Sequence, residues 1–152
     1  MTLKEKINED LKAAMKSGDK VRLEAVRGIK KEIIEKETAE KRETRGELSP
    51  EEELDVLVSM VKRRKDSIQQ FKDAGRTDLV EGEAAQLAII ETYLPAQLSE
   101  ADVAAAVEKM IAQMGATTQK DAGKVIGALM KELKGKADGA LVQKLVKEKL
   151  PA

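Results

Sequence analysis

Apolar residues recur along the chain with the three- and four-residue spacing of amphipathic helices, and polar or glycine-containing breaks divide them into seven segments. Thr2 and Glu5 form a predicted capping box in front of the first apolar stripe, which ends at Ser17-Gly18. Asp19 is the predicted cap of the second helix. Its apolar spacing is lost along Lys36 to Arg45, and we expect this polar stretch to be an exposed and mobile connection.

The third and fourth helices have clear boundary signals. Ser49-Pro50-Glu51-Glu52 combines a capping serine, a proline suited to the first helical position and a glutamate at the third. Gly75 is predicted to end the third helix, Asp78 with Glu81 to open the fourth, and Pro95 to stop it. Four helices are therefore expected before the break at this proline.

Three shorter helices are predicted after the break. Ser99 with Asp102 caps the fifth helix, which ends at Gly115. Thr118 with Asp121 starts the sixth helix, which ends at Gly135, and Asp138 starts the seventh.

The composition agrees with an all-α fold. Charged residues make up 37% of the chain and aromatic residues 1%, so the residue types favour helix over sheet. We predict an N-terminal domain of about four helices at residues 1–96, followed by a small three-helix C-terminal domain at residues 97–152.

The residue types also limit the chemistry. The chain has no histidine and no cysteine, which excludes Ser-His-Asp and Cys-His sites, disulfides and the usual nitrogen- and sulfur-ligated zinc sites. Acidic residues are so frequent that neighbouring pairs mean little, and capping and the helix dipole explain their positions in first helical turns. We therefore predict no catalytic residue, no metal site and no cofactor.

The apolar stretches are short. Val103 to Val107 is among the longest, whereas a membrane span requires about 20 residues. The stretch from Met1 to Lys12 is too charged for a secretory signal peptide. These patterns predict a cytoplasmic monomer without membrane contact.

The net charge is zero, but the charges are unevenly distributed. Residues 76–115 hold two basic and seven acidic side chains, whereas residues 116–152 hold eight and four. At roughly 100° per residue, the other lysines of the predicted sixth helix lie within about 40° of Lys120, opposite the apolar face of the helix. The predicted basic surface consists of Lys120, Lys124, Lys131 and Lys134, extended past the helix end by Lys136. It is either an ordinary solvated helix face or a binding surface for phosphates.

A second basic run, Lys62-Arg63-Arg64-Lys65, interrupts the apolar stripe of the third helix. Periodicity places Arg64 or Lys65 on the inward side, where a charge requires an acidic partner or access to water. We expect an ion pair with an acid from the segment after Asp78. A contact with nucleic acid is the alternative.

Several stretches resemble a known family. Phe71 to Glu81, Glu83 and Tyr93 to Ser99 are similar to the signature of the YqeY-like family. Gly123 to Lys131 and Lys134 to Gly139 resemble the tail shared by that family and by the C-terminal region of the B subunit of the glutamyl/aspartyl-tRNA amidotransferase. The resemblance covers nearly the whole chain.

The resemblance implies an all-helical protein with a helical domain and a small helical tail domain, and in the amidotransferase the tail helps to hold tRNA. It also implies the family label of carbon-nitrogen ligase activity with glutamine as amido-N donor. The sites for glutamine hydrolysis, ATP use and amide transfer belong to other parts of that enzyme. No residue of this chain inherits them, so we do not expect the chain to be catalytic by itself.

Two functions from different classes stay open. The first is a non-catalytic, tRNA-associated module whose basic surface contacts the phosphate backbone. The second is a protein-binding adaptor in a translation-related assembly, which docks through the basic tail and the acidic segment Asp78 to Glu91. An independent glutamine-dependent ligase is disfavoured, because the chain offers no candidate nucleophile for glutamine hydrolysis.

Overall fold

The computed structural model describes residues 1–39 and 46–151, which form seven α-helices and one short 3₁₀ helix. No β-strand occurs within these two ranges, so the all-α prediction is confirmed. The helices are α1 (Leu3–Ser17), α2 (Lys20–Glu37), α3 (Pro50–Asp73), α4 (Thr77–Glu91), α5 (Glu100–Met114), α6 (Ala122–Glu132) and α7 (Gly139–Lys149), with the 3₁₀ helix at Gln119–Asp121 directly before α6.

The predicted capping boxes are present. The Thr2 hydroxyl accepts from the Glu5 backbone N–H at 3.2 Å, and the Glu5 carboxylate accepts from the Thr2 N–H at 2.8 Å. Ser49 and Glu52 form the same reciprocal pair at the start of α3. Gly18 ends α1 with a φ of 71°, a left-handed conformation that glycine adopts without steric cost. These boundaries follow from local side-chain chemistry.

The fourth helix differs from its prediction at both ends. It begins at Thr77, and Asp78 does not cap it, because that carboxylate pairs with the guanidinium of Arg76. It ends at Glu91, and the backbone N–H groups of the next three residues each donate to the carbonyl three residues earlier, so the chain reaches Pro95 in tight turns rather than as α-helix.

The predicted polar connection lies only partly within the described residues. The second helix ends at Glu37, and Thr38 closes it with its side-chain hydroxyl on the Ile34 carbonyl at 2.9 Å. Residues 40–45 lie outside the described ranges.

The chain divides into two compact units, Met1–Leu94 and Pro95–Ala152. Each unit has its own aliphatic core. The first includes the fully buried Ile7, Val26, Ile29 and Ile90, and the second the fully buried Val103, Val107, Val125, Leu129, Val142 and Val146. The assignment of residues 1–96 and 97–152 as separate domains stays a prediction, because compactness alone does not demonstrate independent folding.

Some residues of the predicted apolar stripes are exposed. All of them lie within four residues of a helix end, where a helix extends beyond the core that covers its middle. They are Met15, Ile34, Leu79, Met114 and Met130, with exposed fractions between 36% and 58%.

Among the described residues, one charged side chain is buried: Glu53 in α3, with an exposed fraction of 8%. Its Oε2 atom is buried without a hydrogen-bond partner. Burial raises the pKa of the Glu53 carboxyl above its ordinary value, and the backbone N–H groups of Leu3 and Lys4 partly offset this effect. The negative charges of Glu47 and Glu37 add to the rise. A charged Glu53 therefore costs folding free energy.

We predict that Glu53→Gln increases the free energy of unfolding at pH 7, because a neutral amide removes the cost of burying a charge. A carboxyl with a raised pKa stabilises the fold fully below its unfolded pKa, near 4.5, and loses that contribution as the pH rises through the folded value. The advantage of Glu53→Gln over the unsubstituted protein should thus grow as the pH rises above 4.5. Denaturant unfolding at a series of pH values measures this difference in the free energy of unfolding. The control is Glu9→Gln, at an exposed position of α1. A difference for Glu53→Gln that does not change with pH would contradict the prediction.

Candidate nucleic-acid interface

The 3₁₀ helix before α6 is fixed by Asp121. Its Oδ2 atom accepts hydrogen bonds from the backbone N–H groups of Thr117 at 3.0 Å and Thr118 at 3.3 Å. These two donors lower the pKa of the Asp121 carboxyl, and the nearby positive charge of Lys124 acts in the same direction. The predicted capping by Thr118 and Asp121 is present, but it starts a 3₁₀ turn that leads into α6 at Ala122.

One face of α6 is buried in the core of the second unit. Ala122, Val125, Leu129 and Leu133 are all at least nine-tenths buried, and α6 packs against α5 and α7. Their spacing of three or four residues places them on one side of the helix. The burial of this side determines which residues of α6 face away from the core.

Lys120, Lys124 and Lys131 are exposed, as the sequence predicts. Lys124 and Lys131 belong to α6, and Lys120 lies in the 3₁₀ helix just before it. The helical angles of Lys124 and Lys131 differ by about 20°, so both project from the side opposite the buried face. Three of the five residues of the predicted basic surface therefore lie on α6 or directly before it.

The placement of Lys134 and Lys136 on the helix or its direct continuation is corrected. The helix ends at Glu132, and the chain then turns through Gly135, which has a φ of 74°. Lys134 is half-buried and interacts with its surroundings, whereas Lys136 is exposed. The Lys136 N–H donates to the Leu133 carbonyl at 2.8 Å, a turn bond that replaces helical continuation.

Two glutamine side chains hold the surroundings of α6 in place. The Gln119 amide donates to the carbonyls of Lys147 at 2.8 Å and Leu150 at 2.6 Å, which are at the end of α7 and lack helical partners. The Gln97 amide donates to the carbonyls of Pro95 at 2.9 Å and Gly135 at 2.6 Å. The periodicity of the sequence could not identify the contacts of Gln119 with the end of α7 or of Gln97 with Gly135, because each one joins residues that are distant in the chain.

Several residues of the signature stretch from Tyr93 to Ser99 make structural contacts. In the first unit, the Tyr93 hydroxyl donates to the Asp10 carboxylate, and burial together with this bond raises the pKa of Tyr93. In the second unit, the Leu98 N–H donates to the Lys136 carbonyl at 2.9 Å, and Ser99 caps α5. This stretch therefore stabilises the fold on both sides of the division.

The signature around Gly75 is structural as well. Gly75 ends α3 with a φ of 70°, and the Arg76 N–H donates to the Phe71 carbonyl at 2.9 Å. The Arg76 guanidinium lies 3.3 Å from the Asp78 carboxylate and lowers its pKa. A helix stop, a helix start and an ion pair thus account for this stretch.

The second basic run pairs internally, as predicted. The Arg64 guanidinium lies 2.9 Å from the carboxylate of Glu83, an acid of α4 after Asp78. Arg63 pairs with Glu32 of α2, also at 2.9 Å. A cavity of about 310 Å³ lies beside these two ion pairs and is lined by both arginines and both glutamates. The arginines serve to join α3 to its neighbouring helices.

Two other kinds of site are absent from the described ranges. No group of three or more acidic side chains in residues 1–39 and 46–151 is arranged to hold a metal ion. Of the helices in those same ranges, none combines the length and the apolar character that a membrane crossing needs.

The family model described as "Yqey-like protein" matches residues 4–150. The chain belongs to the YqeY-like family. The sequence resemblance is therefore confirmed over nearly the whole chain, and it includes the stretches around Gly75, Tyr93 and Gly135 whose structural roles are given above.

Several fungal proteins named "Altered inheritance of mitochondria protein 41, mitochondrial" are similar to this YqeY-like chain. The protein of Pyrenophora tritici-repentis is 32% identical over 148 residues, which cover 94% of this chain and 78% of that protein. The protein of Lachancea thermotolerans is 33% identical over 71% of this chain and 57% of its own length. That of Kluyveromyces lactis is 37% identical over 57% of this chain and 45% of its own length. The chain thus spans about half the length of the last two relatives.

The predicted cytoplasmic location is wrong on this comparison. The relatives are named as mitochondrial proteins, which points to the mitochondrion rather than the cytoplasm. The prediction relied on the absence of a secretory signal and of a membrane span in the sequence. Neither feature distinguishes the cytoplasm from the inside of a mitochondrion.

We predict that the Gln119 amide stabilises the second unit through the two carbonyls it joins. Gln119→Ala should lower the free energy of unfolding by about 1 kcal/mol, and Gln119→Glu by more, because a carboxylate would face two acceptors. Thermal and denaturant unfolding followed by far-UV circular dichroism measures both changes. Gln113→Ala, at an exposed position of α5, is the matched control and should be neutral. Equal stability of Gln119→Glu and the unsubstituted protein would refute this role.

Proposed function

We propose that this YqeY-like protein is a non-catalytic, tRNA-associated helical module. Its basic surface contacts phosphates of the RNA backbone through the residues singled out in the sequence, namely Lys120, Lys124, Lys131, Lys134 and Lys136. The observation on which the proposal rests is the exposed side of α6, where Lys124 and Lys131 are separated by Gly127 and the one acidic residue of the helix is Glu132. Asp121, just before the helix, lies near Lys124. Lys134, being half-buried, contributes less than the other four.

The chemistry of this surface suits phosphates better than bases. A lysine ammonium group is a compact charge with no fixed planar geometry, so it binds a phosphate without selecting a base. Base stacking requires exposed aromatic rings, and the chain has one phenylalanine and one tyrosine, both in the first unit. Binding should therefore depend on shape and charge and weaken steeply with salt.

The resemblance to the tail of the amidotransferase B subunit supports the same role. That tail holds tRNA at a distance from the chemical steps, which fits a chain without candidate catalytic residues. The names of the mitochondrial relatives state no ligand, and this chain matches only part of their length. We therefore assign the carbon-nitrogen ligase activity of the family label to the amidotransferase, which has the reactive sites, and not to this chain.

Charge reversal at two lysines tests the proposal. We expect Lys124→Glu with Lys131→Glu to weaken binding of unfractionated tRNA at low salt by at least about tenfold, because two phosphate contacts become repulsive. The slope of log affinity against log salt should become shallower by about 1.4 to 1.8, which is the contribution of two phosphates. Fluorescence anisotropy with end-labelled tRNA measures both quantities, and circular dichroism verifies the fold.

The matched control is Lys12→Glu with Lys20→Glu, which makes the same change in net charge at exposed positions of the first unit. It should retain the affinity and the salt slope. The placement of the interface on α6 is refuted if both double variants bind tRNA equally, or if the unsubstituted protein does not bind it at low salt.

The adaptor function has one observation in its favour. Helix α4 contains four acidic residues and no basic one, and Ala84, Ala85 and Ala88 are exposed on it beside Glu81. Such a surface suits a basic polypeptide more than a nucleic acid. A stable complex with a purified translation protein that resists ribonuclease and is lost on Glu81→Lys would favour this function over the first.

We further propose that residues 97–152 form a domain that folds alone. The second core and the contacts of Gln97 with Gly135 and of Gln119 with α7 all lie within this range. The isolated fragment is expected to be helical and to unfold cooperatively, with Leu129→Ala lowering its stability by about 2 to 5 kcal/mol. Circular dichroism melting of the fragment decides the matter; a fragment without a cooperative transition would contradict the assignment.

A further inference from the structure

The inward side of α3 changes from apolar to polar halfway along the helix. Val56, Leu57 and Met60 are buried in the core of the first unit. Arg64 and Ser67 follow Met60 at separations of four and seven residues, so they continue the same side of the helix. Charged and hydroxyl groups thus occupy positions at which the first half of α3 has aliphatic side chains.

The polar half of this side of α3 lines a cavity of about 310 Å³ within the first unit. Its walls come from three helices, with Glu32 from α2, Glu83 from α4, and Met60, Arg63, Arg64 and Ser67 from α3. Sites for small molecules in proteins have volumes of roughly 300 to 1,000 Å³. The cavity is therefore large enough for a small ligand and too small for a bulky one.

The charges of the cavity walls are balanced and partly removed from water. The Arg64 and Glu83 side chains, 2.9 Å apart, have exposed fractions of 24% and 27%. Arg63 and Glu32 are also 2.9 Å apart and more exposed in part, at 58% and 31%. Apolar side chains of similar size often join helices at least as stably as ion pairs that are withdrawn from water. Joining the helices does not by itself explain four charges around one cavity.

The ion pairs leave hydrogen-bonding capacity for a ligand. A guanidinium group has five N–H donors in a planar fork, which is more than one carboxylate oxygen can use, and its fork geometry suits a second carboxylate. The Glu32 and Glu83 carboxylates likewise have several acceptor sites each. A lone anion in the cavity would be repelled by both glutamates, and a lone cation by both arginines. A ligand that carries one charge of each sign avoids both penalties.

The two uncharged wall residues indicate the rest of the ligand. Met60 has an exposed fraction of 5%, and its flexible thioether side chain adapts to apolar groups of different shapes. The Ser67 hydroxyl can donate or accept a hydrogen bond. An aliphatic group beside Met60 is therefore compatible with charged groups beside the arginines and glutamates.

We propose that this cavity binds a small zwitterion of the α-amino-acid class. The ligand's carboxylate contacts the guanidinium groups of Arg63 and Arg64, its ammonium group contacts Glu32 and Glu83, and its side chain lies against Met60. The inference goes beyond the proposed tRNA association and does not depend on it, because the lysines of that surface belong to the second unit.

Nuclear magnetic resonance of the ¹⁵N-labelled protein tests the proposal with L-leucine as the probe at millimolar concentrations. We expect saturable shifts of the backbone amides of the wall residues and of the arginine Nε–H signals. N-acetyl-L-leucine lacks the ammonium group and L-leucinamide lacks the carboxylate, so each should bind at least about tenfold more weakly than leucine. Glycine should also bind more weakly, because it has no side chain to lie against Met60.

Substitutions locate the binding in the cavity. Ser67→Leu places a larger side chain in the cavity without removing a charge, and it should weaken leucine binding by at least about tenfold. Ser59→Leu, at an exposed position of the same helix, is the matched control and should bind leucine like the unsubstituted protein. Arg64→Lys keeps the positive charge but loses the planar fork, and it should weaken binding about fivefold. Circular dichroism verifies that each variant is folded.

Several results would overturn the inference. One is the absence of saturable shifts at the wall residues with leucine, and another is equal affinity for leucine and either of its two singly charged derivatives. Tighter binding of inorganic phosphate than of leucine at the same residues would indicate a site for anions instead. Unchanged leucine binding by Ser67→Leu would place the site elsewhere. Lys124→Glu with Lys131→Glu should leave leucine binding intact, so the failure of either proposal is distinguishable from the failure of the other.

Discussion

The candidate interface depends on the burial of one side of α6 in the core of the second unit. Val125 and Leu129 are fully buried there, and α6 packs against both α5 and α7. Because a helix has a fixed rotation per residue, this burial also determines that Lys124 and Lys131 face outward. The position of the positive charge is thus a consequence of apolar packing, and a change in the core would move the lysines with it.

Hydrogen bonds from side chains to the backbone complete the second unit. Gln119 satisfies carbonyls at the end of α7, Asp121 satisfies N–H groups before α6, and Gln97 joins the segment after Pro95 to the turn at Gly135. Several residues by which the family is recognised make such structural contacts. Gln97 does so in the second unit, and Tyr93 and Arg76 do so in the first. The signature therefore identifies the fold, whereas the lysines of the candidate interface must be found by exposure and charge.

Local features were predictable and long-range ones were not. The helix starts at Thr2 and Ser49 follow from residues three positions apart. Periodicity narrowed the inward position of the basic run to Arg64 or Lys65, and the structure pairs Arg64 with Glu83. The end of α6 at Glu132 was not predictable, because the turn after it is held by contacts with the distant segment around Leu98. For the site, periodicity was sufficient for the lysines within the helix and failed for those beyond its end.

The bond between Tyr93 and Asp10 has a practical consequence for spectroscopy. Tyr93 is the one tyrosine of the chain, tryptophan is absent, and the single phenylalanine is also in the first unit. Near-ultraviolet absorption and intrinsic emission therefore report on the packing of α1 against the segment that follows α4, and they are blind to α5, α6 and α7. A tryptophan introduced at an exposed position of α5 would give the second unit a fluorophore of its own.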